Sequence, residues 1–587
     1  MRFLLAAVLL IAPACRAQTS ATPSPVRATR GMVVSAERQA SEAGVAVMRA
    51  GGNAVDAAVA TGFALAVTFP VAGNLGGGGF LVVRFPDGRA TTLDYRETAP
   101  AAATRDMFLD STGTFVPALS QRGALAVGVP GSVAGMLEAH ARWGRLPLAD
   151  VLAPALALAD GHALSPGNAE ALNAFRDRFL TDAGAARHFV RADGAPYVAG
   201  DTFRQPALHA VLERIRDHGR DGFYAGSTAD ALVATMRREG GLITHDDLAA
   251  YRPVERAPVV GHYRGHRVIT MGPPSSGGVA LVQLLEAVEP YDLRAMGLGS
   301  SATLHLFGEA MRRTYADRAE WLGDPDFVSV PTAGLTDSLY VARRMATVRP
   351  DRATPSDSVT HGRPGGPPAR PESPQTTHYS VVDAQGMAVS VTTTLNSGFG
   401  SGMVEPGGGY FLNNEMDDFA AAPGVPNQFG LVGTDANAVA PGKRMLSSMT
   451  PTIVENPDGT LRLVIGSPGG GRIITAVFQA IVHVIDYGMD VQAAVAAPRV
   501  HHQWRPDVLF TEPRGMAADV AEALRTRGWT VDQTGGRWSR VDAVEVRYGA
   551  GETTLDPSGL SDVESAAVGR VLLGGADPRG EDAAVGW

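Results

Sequence analysis

The chain has 587 residues, 45% hydrophobic and 19% charged, with a formal net charge of −9, which suits a globular protein with material for one large or two medium domains. A sequence pI near 5.9, with no basic run and no basic patch interleaved with aromatic residues, argues against a nucleic-acid-binding surface, so no nucleic-acid partner is expected. Glycine is abundant at 69 residues but follows no fixed period, which points to tight turns and close backbone approaches rather than low complexity.

Arg2 is followed by an apolar run over 3–11 and by small residues around Ala12-Pro13-Ala14 and Cys15-Arg16-Ala17, the pattern of a secretory signal peptide over 1–17. The run is too short to cross a bilayer, and no later apolar stretch reaches the roughly 18 residues needed. An exported protein, periplasmic or secreted and without a membrane span, is therefore expected. Cys15 is the single cysteine, so the mature chain relies on a large core rather than disulfides. A lipid anchor on Cys15 is disfavoured by Ala12, which stands where a larger aliphatic residue is usual.

Ser35 is the expected cap of a helix through Ala50, ended by Gly51-Gly52, and a second helix is expected over 53–67. Its Ala54, Val55 and Ala57 to Ala60 leave little polar face, so it belongs between layers. Gly76 to Gly79 lead into a strand over 80–85, and with no Lys-Ser or Lys-Thr following, they suit a tight backbone crossing better than an anion cradle. Asp94-Tyr95-Arg96-Glu97 closes the next strand and sets Arg96 where a sheet meets a loop, a place used both for surface ion pairs and for substrate clamps. A mainly helical lobe over 148–239 carries no motif. A strand pair over 261–271 and helices over 279–288 and 301–322 follow.

Residues 364–374 contain five prolines and two glycines, too few large apolar groups to pack, and read as a tether. Thr376 comes immediately after it, ahead of two strands over 379–382 and 387–395 joined at Asp383-Ala384-Gln385-Gly386. A threonine hydroxyl is a weak nucleophile that needs a base, and an α-amine with a pKa of about 8, freed by cleavage before Thr376, would serve. Taken alone, a threonine pair ahead of a strand is far more often a plain strand feature than a nucleophile.

Past the hairpin, Thr394 and Asn396 point the same way and lie beside the start of its first strand. The segment 412–419, LNNEMDDF, gathers three carboxylates and two amides, a set that suits a ligand ammonium, a solvated acidic loop or a calcium site. Ser447-Ser448 offer hydroxyls for a carboxylate or for a turn. A strand over 461–465, the run Gly466-Ser467-Pro468-Gly469-Gly470-Gly471 and an apolar helix over 472–487 aim successive N–H groups at one point, as an oxyanion hole or a phosphate site would. No Walker lysine, Gly-x-Ser-x-Gly elbow or His-Glu-x-x-His is present, and the adjacent His501-His502 make a poor chelate. No metal or cofactor is expected.

Taken together, GGNAVDAAVA at Gly51, NLGGGGF at Asn74, TTHYSVVD at Thr376, LNNEMDDF at Leu412, PGVPN and DANAV within 423–439, KRMLSSM at Lys443, GSPGG at Gly466 and ADPRGED near the end resemble the γ-glutamyltranspeptidase family over nearly all of the mature chain. The resemblance implies an α+β, N-terminal-nucleophile hydrolase fold, a four-layer αββα sandwich. It also implies a precursor that cuts itself before Thr376 into a large subunit, 31–375, whose tether covers about 346–375, and a small catalytic subunit, 376–587, paired as a heterodimer.

By the same resemblance, Thr376 is the processing and catalytic nucleophile with Thr394 hydrogen-bonded to it, and Gly469 and Gly470 supply the oxyanion N–H groups. Arg96, Ser447 and Ser448 hold the α-carboxylate of a γ-glutamyl group, and Asn396, Glu415 and Asp418 hold its α-ammonium. Residues 423–442 match a lid loop, with Phe429 where several bacterial members have tyrosine and Met445 where proline is frequent. The implied donors are glutathione and other γ-glutamyl compounds, and the implied acceptors are water, amino acids or dipeptides. A glutaryl or cephalosporin acylase on the same scaffold and a non-catalytic amino-acid-binding protein are the alternatives.

Overall fold

The structure is a computed structural model that describes residues 23–364, 376–421, 425–432, 435–549 and 569–587. The leader expected over 1–17, with Cys15, and all of the proline-rich tether after Pro364 lie outside the described residues.

Two seven-stranded sheets dominate, and every strand pairing within them is antiparallel. In the first sheet the order is Ala583–Gly586, Met32–Ser35, Thr377–Val382, Ala388–Thr394, Gly78–Arg84, Ala90–Asp94 and Val254–Arg256. The second runs Val26–Ala28, Arg570–Gly575, Asp542–Tyr548, Leu461–Gly466, Thr452–Glu455, His266–Thr270 and Val259–Tyr263. Each sheet thus interleaves segments from both sides of Thr376.

The hairpin expected around Asp383 sits at the centre of the first sheet, with Thr377 opposite Thr393 and Val382 opposite Ala388. Side-chain alternation along it divides the layers. Tyr379, Val381, Val389 and Val391 join the apolar cluster formed with the outer helices Arg38–Arg49 and Ala54–Thr68. On the opposite face the hairpin turns toward the second sheet: Ser380 Oγ donates to Asp542 O at 3.1 Å and Ser390 Oγ to Ile465 O at 3.1 Å. The second sheet is covered on its outer side by Gly277–Val288 and Arg472–Ile485. The layers therefore run helix, sheet, sheet, helix, the expected αββα sandwich.

Ala54–Thr68 is buried along its whole length, as its small apolar residues require. Asn53 caps it by accepting from Val55 and Asp56 N–H, and Asp56 returns a bond to Asn53 N. The preceding helix departs from expectation. Glu37, not Ser35, is its cap, because Ser35 is still in the strand that pairs with Tyr379 and Ala583.

Candidate active site

Thr376 stands one step before the central strand, whose first pair is Thr377 with Thr393, and is buried to 7% exposure. Its Oγ1 has no hydrogen-bond partner among the described residues. The expected Thr376–Thr394 hydrogen bond is therefore not made: Thr394 Oγ1 accepts from Asn396 N at 2.7 Å instead, because Asn396 turns into a left-handed conformation, φ 72°, straight after the strand. The glycine run holds this strand end in place. Asn74 Nδ2 donates to Thr394 O at 2.9 Å, and a Cβ on Gly77 would lie 1.9 Å from the same oxygen. Only glycine fits that backbone crossing.

Asn396 Nδ2 donates to Asn414 O at 2.9 Å, which links the nucleophile's neighbour to the acidic segment. That segment is not a solvated loop: Asn413, Asn414, Glu415, Asp417 and Asp418 are all at most 2% exposed. Nor is Arg96 part of a surface ion pair. At 1% exposure, its guanidinium pairs with Glu415 through one nitrogen and with Asp418 through the other. Nε and Nη2 also donate to Met445 O at 3.3 Å and Leu446 O at 3.4 Å, just before Ser447-Ser448. Among the described residues no group of three His, Cys, Asp or Glu side chains is arranged to hold a metal ion.

Sequence reasoning missed two members of this cluster. Glu97 lies 3.7 Å from Arg96 Nη1, wholly buried, and burial beside Glu415 holds its carboxyl well above the usual range. Its place next to Arg96 was the only available signal. Arg318, inside the helix Ser301–Trp321, donates to Ser276 Oγ and to Ser448 Oγ, each at 3.1 Å, and burial lowers its pKa to about 10. Nothing local in the sequence marks it. Burial works against the charge on Arg96 too, but Glu415 and Asp418 more than offset it, so the guanidinium stays fully charged. Glu415 is raised by burial and drawn back by Arg96, to about 7. Six acceptor oxygens of the cluster remain without a hydrogen bond among the described residues: both of Glu97, Asn396 Oδ1, Glu415 Oε2, Asp417 Oδ2 and Asp418 Oδ1.

Thr376 and Asn396 also line a cavity of about 330 Å³, together with Pro468, Gly469, Arg472 and the segment Arg537-Trp538-Ser539-Arg540. Gly469 and Gly470 take φ values of +127° and +74°, and a Cβ on Gly469 would lie 2.1 Å from Ser539 Oγ. The turn that starts the helix Arg472–Ile485 thus passes close to that wall of the cavity, and the helix begins beside Thr376 with its positive end leading.

Of the expected lid, 423–424 and 433–434 lie outside the described residues. The rest spans the site. Gln428 Oε1 accepts from Ser397 Oγ at 2.9 Å, Phe429 O from Gln503 Nε2 at 3.3 Å, and Asn437 donates to Asp418 O at 2.6 Å while accepting from Leu446 N at 3.0 Å. Leu431 is buried in the main core, and Phe429 is half-buried.

Residues 40–587 match the family described as Gamma-glutamyltranspeptidase. The chain is 49% identical over 508 residues to the glutathione hydrolase proenzyme of Escherichia coli, covering 86% of this chain and 87% of that one. Among solved structures, cephalosporin acylase from Bacillus halodurans superposes with a TM-score of 0.82 at 27% identity, covering 99% of both chains. A chain of Helicobacter pylori γ-glutamyltranspeptidase matches at 44% identity and a TM-score of 0.55, over 59% of this chain and 97% of its own. The sandwich, the threonine that opens its central strand and a family match running from the first helix to the last residue lead to one assignment: the chain belongs to the γ-glutamyltranspeptidase family.

Proposed function

We propose that the protein is an exported glutathione hydrolase and γ-glutamyltransferase that cuts itself between Gln375 and Thr376 and works through a γ-glutamyl ester on Thr376. The two products, the chain up to Gln375 and 376–587, stay together as a heterodimer. Support for that pairing comes from the sheets, since separating the pieces would strip strands from the middle of both. No helix among the described residues is long and apolar enough to cross a membrane.

One observation carries the choice of donor. An α-ammonium is a donor only, and the cluster around Arg96 holds buried acceptor oxygens without a hydrogen bond among the described residues, those of Asn396, Glu415 and Asp418 among them. A glutaryl group brings a carboxylate but no ammonium and would leave those acceptors unmet, a cost of about 1 to 3 kcal/mol for each buried unsatisfied group. The α-carboxylate would meet Ser447 and Ser448, with Arg96 and Arg318 behind them as the positive charges.

The freed α-amine of Thr376 takes the proton from Oγ1, and the oxygen attacks the γ-carbonyl carbon. The N–H groups of Gly469 and Gly470 stabilise the oxyanion. The amide C–N bond then breaks, the leaving amine takes the proton, and water or an amine releases the acyl group. Turnover of a γ-glutamyl-anilide, measured with and without glycylglycine, tests this directly. Release of the aniline that rises with acceptor is expected, and release of the aniline from a glutaryl-anilide at an equal rate would favour the acylase alternative instead.

Glu415 gives the pH dependence. With a pKa raised by burial to about 7, it is mostly charged at pH 8 and mostly neutral at pH 6, so its hold on an ammonium is largely present at pH 8 and lost as the pH falls through 7. KM for the donor should fall between pH 6 and pH 8, and Glu415→Gln should raise KM about tenfold at pH 8 and flatten that slope. A slope unchanged in Glu415→Gln would assign the titration to another group.

The lid gives a partition test. Phe429→Ala should admit water and raise hydrolysis relative to transfer by about twofold to tenfold, with Phe429→Tyr changing the ratio less. The measurement is glutamate against γ-glutamyl-glycylglycine at fixed acceptor. An unchanged ratio in Phe429→Ala would mean that the loop does not gate the site.

A further inference from the structure

The tip of the lid is tied to a buried amide that the γ-glutamyl clamp does not use. Between Pro426 and Val432, which pair as a bridge, the chain closes a turn: Asn427 N donates to Leu431 O at 3.1 Å and Gly430 N to Asn427 O at 3.0 Å, with Gly430 at φ +75°. Phe429 O takes no part in that turn. Its hydrogen bond comes from Gln503 Nε2 at 3.3 Å, 74 residues further along the chain. Gln503 is 9% exposed, and its other hydrogen bonds go to His501 and Arg505, so none reaches the clamp.

The partners of Gln503 fix which way its amide faces. Nε2 lies 3.3 Å from two carbonyl oxygens, Phe429 O and Arg505 O, which can only accept, so the NH2 end is the one on the lid. Oε1 therefore accepts from His501 Nε2 at 2.9 Å. His501 is wholly buried, and burial pushes its pKa down to about 3, so the ring is neutral and carries a single N–H. With that proton on Nε2, Nδ1 is left to accept from Thr475 Oγ1 at 2.9 Å. Thr475 belongs to the helix Arg472–Ile485 that follows the Gly469-Gly470 turn. Donation thus runs in one direction, from that helix through His501 and Gln503 to the lid. The loop that carries Gln503 is itself held: Trp504 Nε1 donates to Ser356 O at 3.0 Å and Val359 O at 2.9 Å, and Asp507 accepts from Ser356 N at 2.7 Å. His502 pairs with Asp507 at 3.1 Å on that anchored side, while His501 serves the lid, which accounts for the adjacent histidines without a metal.

We propose that Gln503 is a positioning residue for acyl transfer, a catch that keeps the lid closed over the γ-glutamyl ester of Thr376 through Phe429 O, with His501 fixing the amide that makes the bond. The inference rests on the reading of Thr376 as the γ-glutamyl-bearing nucleophile and of 423–442 as its lid. While the catch holds, bulk water is kept from the ester and the acyl group waits for an amine. Releasing the catch favours hydrolysis. The lid side of the catch can be broken alone, because the carboxylate of Gln503→Glu still accepts from His501 but has no N–H for Phe429 O.

The test measures glutamate against γ-glutamyl-glycylglycine from a γ-glutamyl-anilide at fixed glycylglycine, together with hydrogen exchange over 425–432 by mass spectrometry. Gln503→Glu should self-cleave and raise the ratio of hydrolysis to transfer about twofold to tenfold. Exchange over 425–432 should quicken while that of the central hairpin stays as in wild type. KM for the anilide should remain within about twofold of wild type, since Gln503 touches no part of the clamp. Combined with Phe429→Ala the substitution should add little, because both open the same gate. Gln503→Asn is neutral but one methylene shorter, cannot span His501 and Phe429 O, and should raise the ratio likewise, so a folding defect in Gln503→Glu would not leave the matter open. A wild-type ratio in these variants, or a raised ratio with unchanged exchange over 425–432, would overturn the catch while leaving the donor reading intact. Effects of Gln503→Glu and Phe429→Ala that simply multiply would place the action of Gln503 outside the lid and overturn the catch as well. Wild-type enzyme that released no aniline would overturn the donor reading, and the catch with it.

Discussion

Thr376→Ala is expected to remain a single uncleaved chain and to lose kcat for γ-glutamyl donors by roughly four to six orders of magnitude, the scale seen when a covalent nucleophile is removed. Both losses have the same origin. Thr376 Oγ1 is buried at the head of the central strand with no hydrogen-bond partner among the described residues, so no strand contact of the hydroxyl is given up. The methyl group contributes little packing at the edge of an open cavity. A folded, uncleaved and inactive protein is thus the expected product, to be checked by denaturing electrophoresis beside circular dichroism. A Thr376→Ala protein that still divided into two chains would place the cut elsewhere.

Arg96→Lys is expected to keep self-cleavage nearly intact and to lower kcat/KM for γ-glutamyl donors by roughly 30- to 1000-fold, which corresponds to about 2 to 4 kcal/mol. The guanidinium serves Glu415 and Asp418 with different nitrogens and reaches Met445 O and Leu446 O as well. An ammonium on a flexible stem is a point charge and cannot span both carboxylates in this geometry. It would leave one of them buried without its partner and loosen the segment from Met445 to Leu446 that leads into Ser447-Ser448. Steady-state kinetics on the processed variant decide the matter: a wild-type kcat/KM would remove Arg96 from the donor site.

The central hairpin was legible because its period-two pattern and its Asp383 to Gly386 turn agree with each other, and the turn does close, with Asp383 N donating to Met387 O at 3.1 Å. The helix over 53–67 was legible for the same reason, its cap and its small apolar residues pointing one way. The glycine run was understood as a backbone crossing, although which strand it crosses depends on Thr394, some three hundred residues away in sequence. Charge misleads where the fold buries it. Arg96 and the acidic segment 412–419 resemble surface features when each is taken alone, and they become interior only because each neutralises the other. That pairing is a tertiary fact. Arg318 and the Trp538-Ser539 wall were illegible because one lies mid-helix and the other in an irregular segment without a motif. Ser35 failed as a cap because strand pairing on both of its sides outweighed a local preference.

In the proposed reaction Thr376, exposed by self-cleavage, carries the γ-glutamyl group. Rapid quenching of the purified enzyme with a γ-glutamyl-anilide, followed by mass spectrometry of the small fragment, tests it most directly. The expected result is a chain spanning 376–587 with Thr376 at its N-terminus and one γ-glutamyl group on that residue. A fragment beginning at any other residue, or a γ-glutamyl group found elsewhere on the chain, would contradict it.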